Sequence, residues 1–369
     1  MLTGGGTGGH IYPAIAVAEA LVQLLPRSKV LYVGTAQGME SVLVPKEGFD
    51  FEAIRSSGIR GKSLSSALKG VRAASLGIGD AYRIIKRFKP DVVFGTGGYV
   101  SGPVMLAARL MGIPCAIQEQ NAVPGKTNLV LARLAHKTFT AWEESATLFP
   151  RKANVQVTGN PIRAGLFKPT GRDEARAAFG LRDAFTLLVL GGSRGARFLV
   201  DLALDIARSD TIDLQMLLIT GRDYYDNAAA SLGAQQQTGI TGAKSGNITI
   251  QPYVYNMEKA YGACDLVLAR AGGMTLAEIT ALGLLSIIVP SPNVVGNHQE
   301  YNARILENAG AAVVVREGPD TREQVEQSIR QIMNDPAQHR KMAQAATEIG
   351  RPDAAERIAR ELIALARHA

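Results

Sequence analysis

Residues Gly4-Gly5-Gly6-Thr7-Gly8-Gly9-His10 run straight into Ile11-Tyr12-Pro13 and an amphipathic stretch, the pattern of a phosphate-cradling loop that opens a helix. Glycines let the backbone approach an anion closely, and the amides together with the positive end of the helix macrodipole favour negative charge there. Pro13 suits a first helical turn, where its missing N–H is no loss. Ile15, Ala18, Val22 and Leu25 then keep one helical face apolar. Such a loop requires a strand to feed it and a sheet behind it. Only Met1-Leu2-Thr3 precede it, so that strand is expected to be almost absent.

A chain of 369 residues that is 46% hydrophobic can build two domains of ordinary size. No apolar run reaches the roughly 18 residues of a spanning helix, and the first residues carry no charged, apolar and small-residue export pattern, which points to a cytosolic location. Cys115 and Cys264 lie far apart in apolar, strand-like segments and read as buried thiols rather than a disulfide or metal pair.

Charge is unevenly placed. Residues 1–165 hold 19 Lys+Arg against 10 Asp+Glu, and the rest holds 21 against 23. Within residues 55–89 stand nine basic residues, Arg55, Arg60, Lys62, Lys69, Arg72, Arg83, Lys86, Arg87 and Lys89, against one acid, Asp80. Ile59, Leu64, Leu68, Val71, Leu76 and Ile78 lie among them, a mixture that suits an anionic bilayer surface. A solvated helix face is the alternative. Nucleic acid fits less well, because Tyr82 and Phe88 are the segment's only aromatics and no binding module is recognisable.

Short β-branched runs alternate with helical stretches, with glycine loops at strand ends, which is α/β patterning with parallel sheets. Strands are expected at 30–33, 51–55, 92–94, 115–118, 138–141 and 155–158, then at 186–190, 215–219, 248–251, 266–268, 286–289 and 312–315. Each set opens on its own glycine turn, Gly4 to Gly9 and Gly191 to Gly195, so the expected architecture is two tandem Rossmann-like, doubly wound domains joined through Gly159-Asn160-Pro161-Ile162-Arg163 to Lys168-Pro169-Thr170-Gly171. Ligand is expected in a cleft between them, at the carboxyl ends of the strands. A charged amphipathic helix closes the chain from Asp353 to Ala366.

Gly4-x-Gly6-x-x-Gly9 matches the dinucleotide fingerprint, but the second strand ends Val33-Gly34-Thr35-Ala36 without the acid that would bind a ribose. Gly61-Lys62-Ser63 and Gly125-Lys126-Thr127 lack the first glycine of a P-loop. Gly191-Gly192-Ser193-Arg194-Gly195 matches a serine-hydrolase elbow, with His298, His339 and His368 downstream; alternatively Ser193 and its neighbouring amides hold a diphosphate. Gly95-Thr96-Gly97-Gly98-Tyr99-Val100-Ser101-Gly102-Pro103 is a second glycine loop in the first domain and suggests a second phosphorylated substrate. Glu278, in Ala271-Gly272-Gly273-Met274-Thr275-Leu276-Ala277-Glu278, is expected on a first helical turn, where it would accept hydrogen bonds from both hydroxyls of a ribose. His10 at a helix start reads as a general base or as a loop cap. No D-x-D or H-x-x-H cluster appears, so no metal site and no cofactor are expected. Charge on a leaving phosphate would fall to amides and to basic side chains such as Arg163.

Taken in order, Gly5-Gly6-Thr7-Gly8-Gly9-His10, Gly97 to Pro103, Glu119-Gln120-Asn121, Gly159 to Arg163, Gly191-Gly192-Ser193 and Thr275-x-x-Glu278 make the chain resemble, over nearly its whole length, the MurG family of glycosyltransferase family 28, the lipid-linked N-acetylglucosaminyltransferases of bacterial peptidoglycan synthesis. The resemblance implies a GT-B fold, a UDP-N-acetylglucosamine donor held mainly by the second domain, an undecaprenyl-diphosphate-linked muramyl-pentapeptide acceptor at the first, and inversion to a β1,4 link. It implies residues 1–163 as the acceptor and membrane-facing domain, 164–352 as the donor domain, and 353–369 as a helix packing back on the first. Donor contacts carry over to Thr7, Gly8, Gly9, Asn121, Arg163, Ser193, Val254, Gly273, Met274, Thr275, Leu276, Ala277, Glu278 and Gln299. The acceptor diphosphate falls to Gly6, Gly97, Gly98, Tyr99 and Ser101. His10 is the favoured general base and Glu119 its competitor. Ile59, Arg60, Lys62, Leu64, Leu68, Lys69 and Arg72 form the expected membrane patch, at the cytoplasmic face of the plasma membrane, with other cell-wall synthesis proteins as further partners. Arg194, Lys126 and Asn297 depart from the family's usual Gln, aliphatic residue and Asp. A UDP-N-acetylglucosamine 2-epimerase is the rival reading within the same fold.

Overall fold

A computed structural model of the chain describes residues 1–56, 64–191, 195–209, 211–236 and 242–367, with the side chains of 64–73 outside that description. Two compact units result, Met1–Ala164 with Arg351–Ala369, and Gly165–Gly350.

The first unit is built on seven strands, β1 (Leu2–Thr3), β2 (Leu31–Gly34), β3 (Asp50–Ala53), β4 (Val93–Gly95), β5 (Cys115–Glu119), β6 (Lys137–Thr140) and β7 (Val155–Val157), in the order β3-β2-β1-β4-β5-β6-β7. All pairs are parallel. β1 is two residues long, yet it lies in the middle of the sheet with Leu2 opposite both Tyr32 and Phe94. The strand order reverses there, and a doubly wound sheet opens a crevice at that reversal, above the carboxyl ends of its strands. The glycine loops after β1 and β4 flank the crevice. Helices α1 (Gly8–Leu24), α2 (Glu40–Lys46), α3 (Leu64–Phe88) and α4 (Ser101–Leu110) follow the first four strands. Pro13 is not in the first turn: α1 begins at Gly8, so the proline is its sixth residue and the helix forgoes one backbone bond there.

The chain returns to this unit through the helix Ala354–Arg367. Its Ile358 and Leu362 are fully buried in a cluster with Leu2, Ile11, Ile15, Tyr32 and Phe139. Ala355 and Ala359 meet Ala16 and Ala20 of α1, small residues that let the two helices approach closely. Lys137 pairs with Glu361, which also accepts from Gln156 Nε2 at 3.3 Å.

In the second unit eight strands run β10-β11-β12-β9-β8-β13-β14-β15, where β8 is Thr186–Leu190, β9 Gln215–Ile219, β10 Gln235–Gln236, β11 Ala243–Ser245, β12 Ile248–Gln251, β13 Leu266–Ala269, β14 Ser286–Ile288 and β15 Val313–Val314. The edge strands β10 and β11 pair antiparallel, which the expectation of purely parallel sheets did not include. Both are too short and polar to show a strand period. Cys264 precedes β13 rather than lying in a strand; burial pushes its thiol up to about 12 and that of Cys115 to about 11, so both stay protonated.

The packing of the last helix predicts that Ile358→Ala costs about 2–5 kcal/mol, the usual range for truncating a fully buried aliphatic side chain. Denaturant unfolding of the full chain checks it; a loss well below 1 kcal/mol would mean that the helix is not part of the first unit's core.

Candidate active site

The two glycine loops of the first unit converge on one side chain. Thr7 is extended (φ −146°, ψ 157°) and α1 starts at Gly8, which places His10 on the first turn with its ring half-buried. His10 Nδ1 lies 2.9 Å from the carbonyl oxygen of Thr96, and Thr96 Oγ1 donates to the carbonyl oxygen of His10 at 2.6 Å. A carbonyl oxygen only accepts, so in the neutral ring Nδ1 carries the proton and Nε2 the lone pair. Gln120 Nε2 donates to the same Thr96 oxygen at 2.7 Å. Gly97 has φ +105°, and a Cβ there would lie 3.0 Å from His10 Cε1, so neither its backbone nor its neighbour tolerates a side chain. At Gly98 (φ +81°) a Cβ would meet the Gly5 carbonyl oxygen at 2.3 Å. The loops therefore touch backbone to backbone.

Glu119 is buried and fully engaged. Oε1 accepts from the amide and Nδ2 of Asn121 at 3.0 and 3.1 Å, and Oε2 from the Gly125 amide and Asn128 Nδ2 at 3.0 and 2.8 Å. It organises the turn from 120 to 128. Gln118 Nε2 donates to Asn160 Oδ1 at 2.7 Å and Asn160 Nδ2 to the Gln120 carbonyl at 3.0 Å, which ties the Gly159-Asn160-Pro161 turn to the same segment. Ser101 is buried with its hydroxyl donated to the Gly97 carbonyl at 2.7 Å, so it shapes the second loop from behind. Tyr99 is half-buried, with its ring beside Gly6. Arg163 stacks on Tyr12, 4.5 Å to the ring centroid, and pairs with Glu47 at 3.2 Å.

The sequence has no acid at the end of β2, but the structure places one nearby. Glu40, the first residue of α2, is fully buried and accepts from Thr35 Oγ1 at 2.7 Å, the Thr35 amide at 3.1 Å and the Gly6 amide at 3.3 Å. Tyr32 donates to the Gly4 carbonyl at 2.9 Å, and burial, with the Glu40 charge beside it, holds the phenol well above its ordinary pKa. Glu40 escaped the sequence reading, and Thr96 and Gln120 entered it only as members of their motifs, without roles of their own. For Glu40 the available signal is an acid opening a helix shortly after a strand that ends beside the glycine loop.

In the second unit the helix Gly273–Ala281 follows β13, with Gly272 as its cap. Glu278 is thus on the second turn rather than the first, because the helix begins at Gly273; little of the dipole field reaches it. Its Oε2 accepts from the Tyr261 hydroxyl at 2.6 Å. Leu276 and Ala277 face the core, while Met274, Thr275 and Glu278 are half-buried. Gln299 Oε1 accepts from the Ser291 amide at 2.8 Å. Val254 is half-buried between Tyr253 and Tyr255, whose rings meet edge-on at 4.8 Å. Ser193 lies outside the described residues.

Of the basic segment, Ile59, Arg60 and Lys62 lie outside the described residues. Leu64, Leu68, Lys69 and Arg72 belong to α3, with side chains outside the description. Arg55 and Arg83 meet Asp80 at 2.8 and 3.4 Å, and Arg87 pairs with Glu52. The Arg55 guanidinium holds the Asp80 carboxyl down at about 2. Leu76 and Tyr82 are exposed on the same helix.

Residues 1–140 match the glycosyltransferase family 28 N-terminal domain and residues 186–358 its C-terminal domain. A Thermoanaerobacter protein named UDP-N-acetylglucosamine–N-acetylmuramyl-(pentapeptide) pyrophosphoryl-undecaprenol N-acetylglucosamine transferase is 42% identical over 358 residues, 97% of each chain. The crystal structure of MurG from Acinetobacter baumannii superimposes with a TM-score of 0.71 at 30% identity, covering 99% of both chains. UDP-GlcNAc 2-epimerase from Neisseria meningitidis shares the fold alone, at 16% identity and a TM-score of 0.67. A GT-B chain matched along both domains and at this identity to such relatives belongs to glycosyltransferase family 28, in its MurG branch.

Proposed function

We propose that the chain transfers N-acetylglucosamine from UDP-N-acetylglucosamine, with inversion, to the 4-hydroxyl of an undecaprenyl-diphosphate-linked muramyl-pentapeptide, and that His10 is the general base. The pinned ring of His10 carries this reading. With Nδ1–H held by the Thr96 carbonyl, the Nε2 lone pair has a fixed direction, and a base needs such a direction before the acceptor hydroxyl arrives. As the hydroxyl oxygen attacks the anomeric carbon, its proton passes to Nε2 and the bond to UDP breaks. The Thr96 carbonyl then faces the cationic ring through the same hydrogen bond. Glu119, the competing candidate, has both oxygens committed to four donors, and taking up a proton would cost it at least one of them.

The acceptor diphosphate is assigned to the loops around Gly6, Gly97, Gly98 and Tyr99, with Ser101 acting through the shape of the second loop. The donor is assigned to Thr7, Gly8, Gly9, Asn121, Arg163, Ser193, Val254, the segment Gly273 to Glu278, and Gln299. Glu278, steadied by Tyr261, would accept from the ribose hydroxyls. Arg163 would leave Glu47 for the diphosphate of the leaving UDP, whose charge is larger. Radiolabelled UDP-N-acetylglucosamine, with and without lipid acceptor, tests the reaction: label moves into lipid only when acceptor is present. Altered sugar without acceptor would favour the epimerase. In the same assay His10→Ala should lower kcat by about 100-fold or more with little change in donor affinity; a nearly normal His10→Ala beside a crippled Glu119→Gln would exchange the two roles.

Attachment is assigned to the cytoplasmic face of the plasma membrane, beside other cell-wall synthesis proteins. No helix among the described residues is long and apolar enough to cross a membrane. Because Arg55, Arg83 and Arg87 are engaged in ion pairs, the attraction to anionic lipid is assigned chiefly to Arg60, Lys62, Lys69 and Arg72, each worth about 1 kcal/mol at the surface. Changing Lys62, Lys69 and Arg72 together to Glu should abolish sedimentation with anionic vesicles while sparing turnover of a water-soluble, short-chain acceptor. Wild-type binding should weaken steeply as salt is raised and the screening length shrinks toward about 3 Å at 1 M. Undiminished binding by the triple variant would reduce the segment to a solvated helix face.

A further inference from the structure

The Glu40 carboxylate has a pocket made for it. A Cβ added at Gly5, Gly34 or Gly38 would lie 2.6, 2.4 or 2.2 Å from its side chain, so three glycines are spent on admitting it. One of these, Gly5, belongs to the first glycine loop. The group is fully buried, and a buried charge is costly unless its lone pairs are met. Here they are met by the Thr35 amide, the Thr35 hydroxyl and the Gly6 amide, with the start of α2 adding its favourable field.

Both loops feel this carboxylate. The Gly6 N–H points inward to Glu40 and is not presented to a ligand, so Gly6 serves the acceptor through the shape it gives the first loop. Thr35 Oγ1, the closest donor to Glu40, is also 3.5 Å from the phenol oxygen of Tyr99 in the second loop. A Cβ on Gly6 would in turn lie 3.4 Å from Tyr99 Cε1. The buried carboxylate thus contacts the first loop directly and the second through Thr35.

We propose that Glu40 is a positioning residue for the acceptor: its carboxylate, through Gly6 and through Thr35 to Tyr99, sets the spacing of the two glycine loops that receive the lipid-linked diphosphate. The inference rests on the assignment of those loops to the acceptor. Glu40→Gln keeps the volume but turns an amide NH₂ toward groups that are themselves donors. Its acceptor KM should rise roughly tenfold or more, the scale of one lost hydrogen bond to a charged group, with donor KM unchanged and kcat at saturating acceptor less affected. Thr35→Val should shift acceptor KM in the same direction, and Thr35→Ser, which keeps the hydroxyl, should restore it. Should Glu40→Gln fail to fold, the Thr35 pair decides alone. Gly98→Ala, which drives a methyl group into the Gly5 carbonyl, reports on the loops themselves. If Gly98→Ala raises acceptor KM while folded Glu40→Gln and Thr35→Val do not, Glu40 has no positioning role. If donor and acceptor KM rise together in the Glu40 and Thr35 variants, Glu40 is only structural and the proposal is overturned. If Gly98→Ala also leaves acceptor KM unchanged, the acceptor assignment falls first.

Discussion

The reciprocal pair of hydrogen bonds between His10 and Thr96 is the contact on which the rest of the first unit's site depends. Each residue stands just past a strand end: His10 on the first turn of α1, after β1, and Thr96 directly after β4. The bonds therefore join the two loops that flank the strand-order reversal. One bond fixes the imidazole tautomer, the other fixes the backbone on which the imidazole stands. Gly97 and Gly98 then follow as requirements, since a side chain at either would push against the ring or the opposite loop. Gln120 adds the third strand-end segment by donating to the same carbonyl.

Much of what looks like ligand-binding chemistry in this unit is spent on holding the loops. Glu119, Gln118, Asn128 and Asn160 are joined by hydrogen bonds behind the crevice. Ser101 bonds the loop that it follows, and Glu40 takes the Gly6 amide. A site whose members are locked by packed and hydrogen-bonded neighbours keeps its geometry without a ligand, which is the condition for efficient transfer between two bound substrates. Arg163 differs: it rests on Tyr12 and Glu47, partners it would have to leave to take up the diphosphate role proposed for it.

The architecture was legible because parallel strands buried on both faces produce plain apolar runs, and because glycine turns recur at strand ends. β10 and β11 were not, since two or three polar residues at a sheet edge carry no period. His10 was legible as a helix-start histidine, whereas its tautomer depends on Thr96, 86 positions away in the chain. Glu40 was invisible for a similar reason: the dinucleotide pattern directs attention to the last residue of β2, and the acid that reaches the glycine loop comes from the following helix. Glu278 was placed one turn too early because the glycines before Met274 leave the helix start ambiguous in sequence; the helix takes up Gly273.

The protonation site of His10 decides whether its ring can serve as the base. Selective ¹⁵N labelling of histidine, with His10→Gln used to assign its signals, reads the tautomer of the neutral ring from its two nitrogen shifts. The structure predicts protonated Nδ1 and unprotonated Nε2. A neutral ring protonated at Nε2 would place the lone pair against the Thr96 carbonyl and contradict both the clamp and the assignment of His10 as the base.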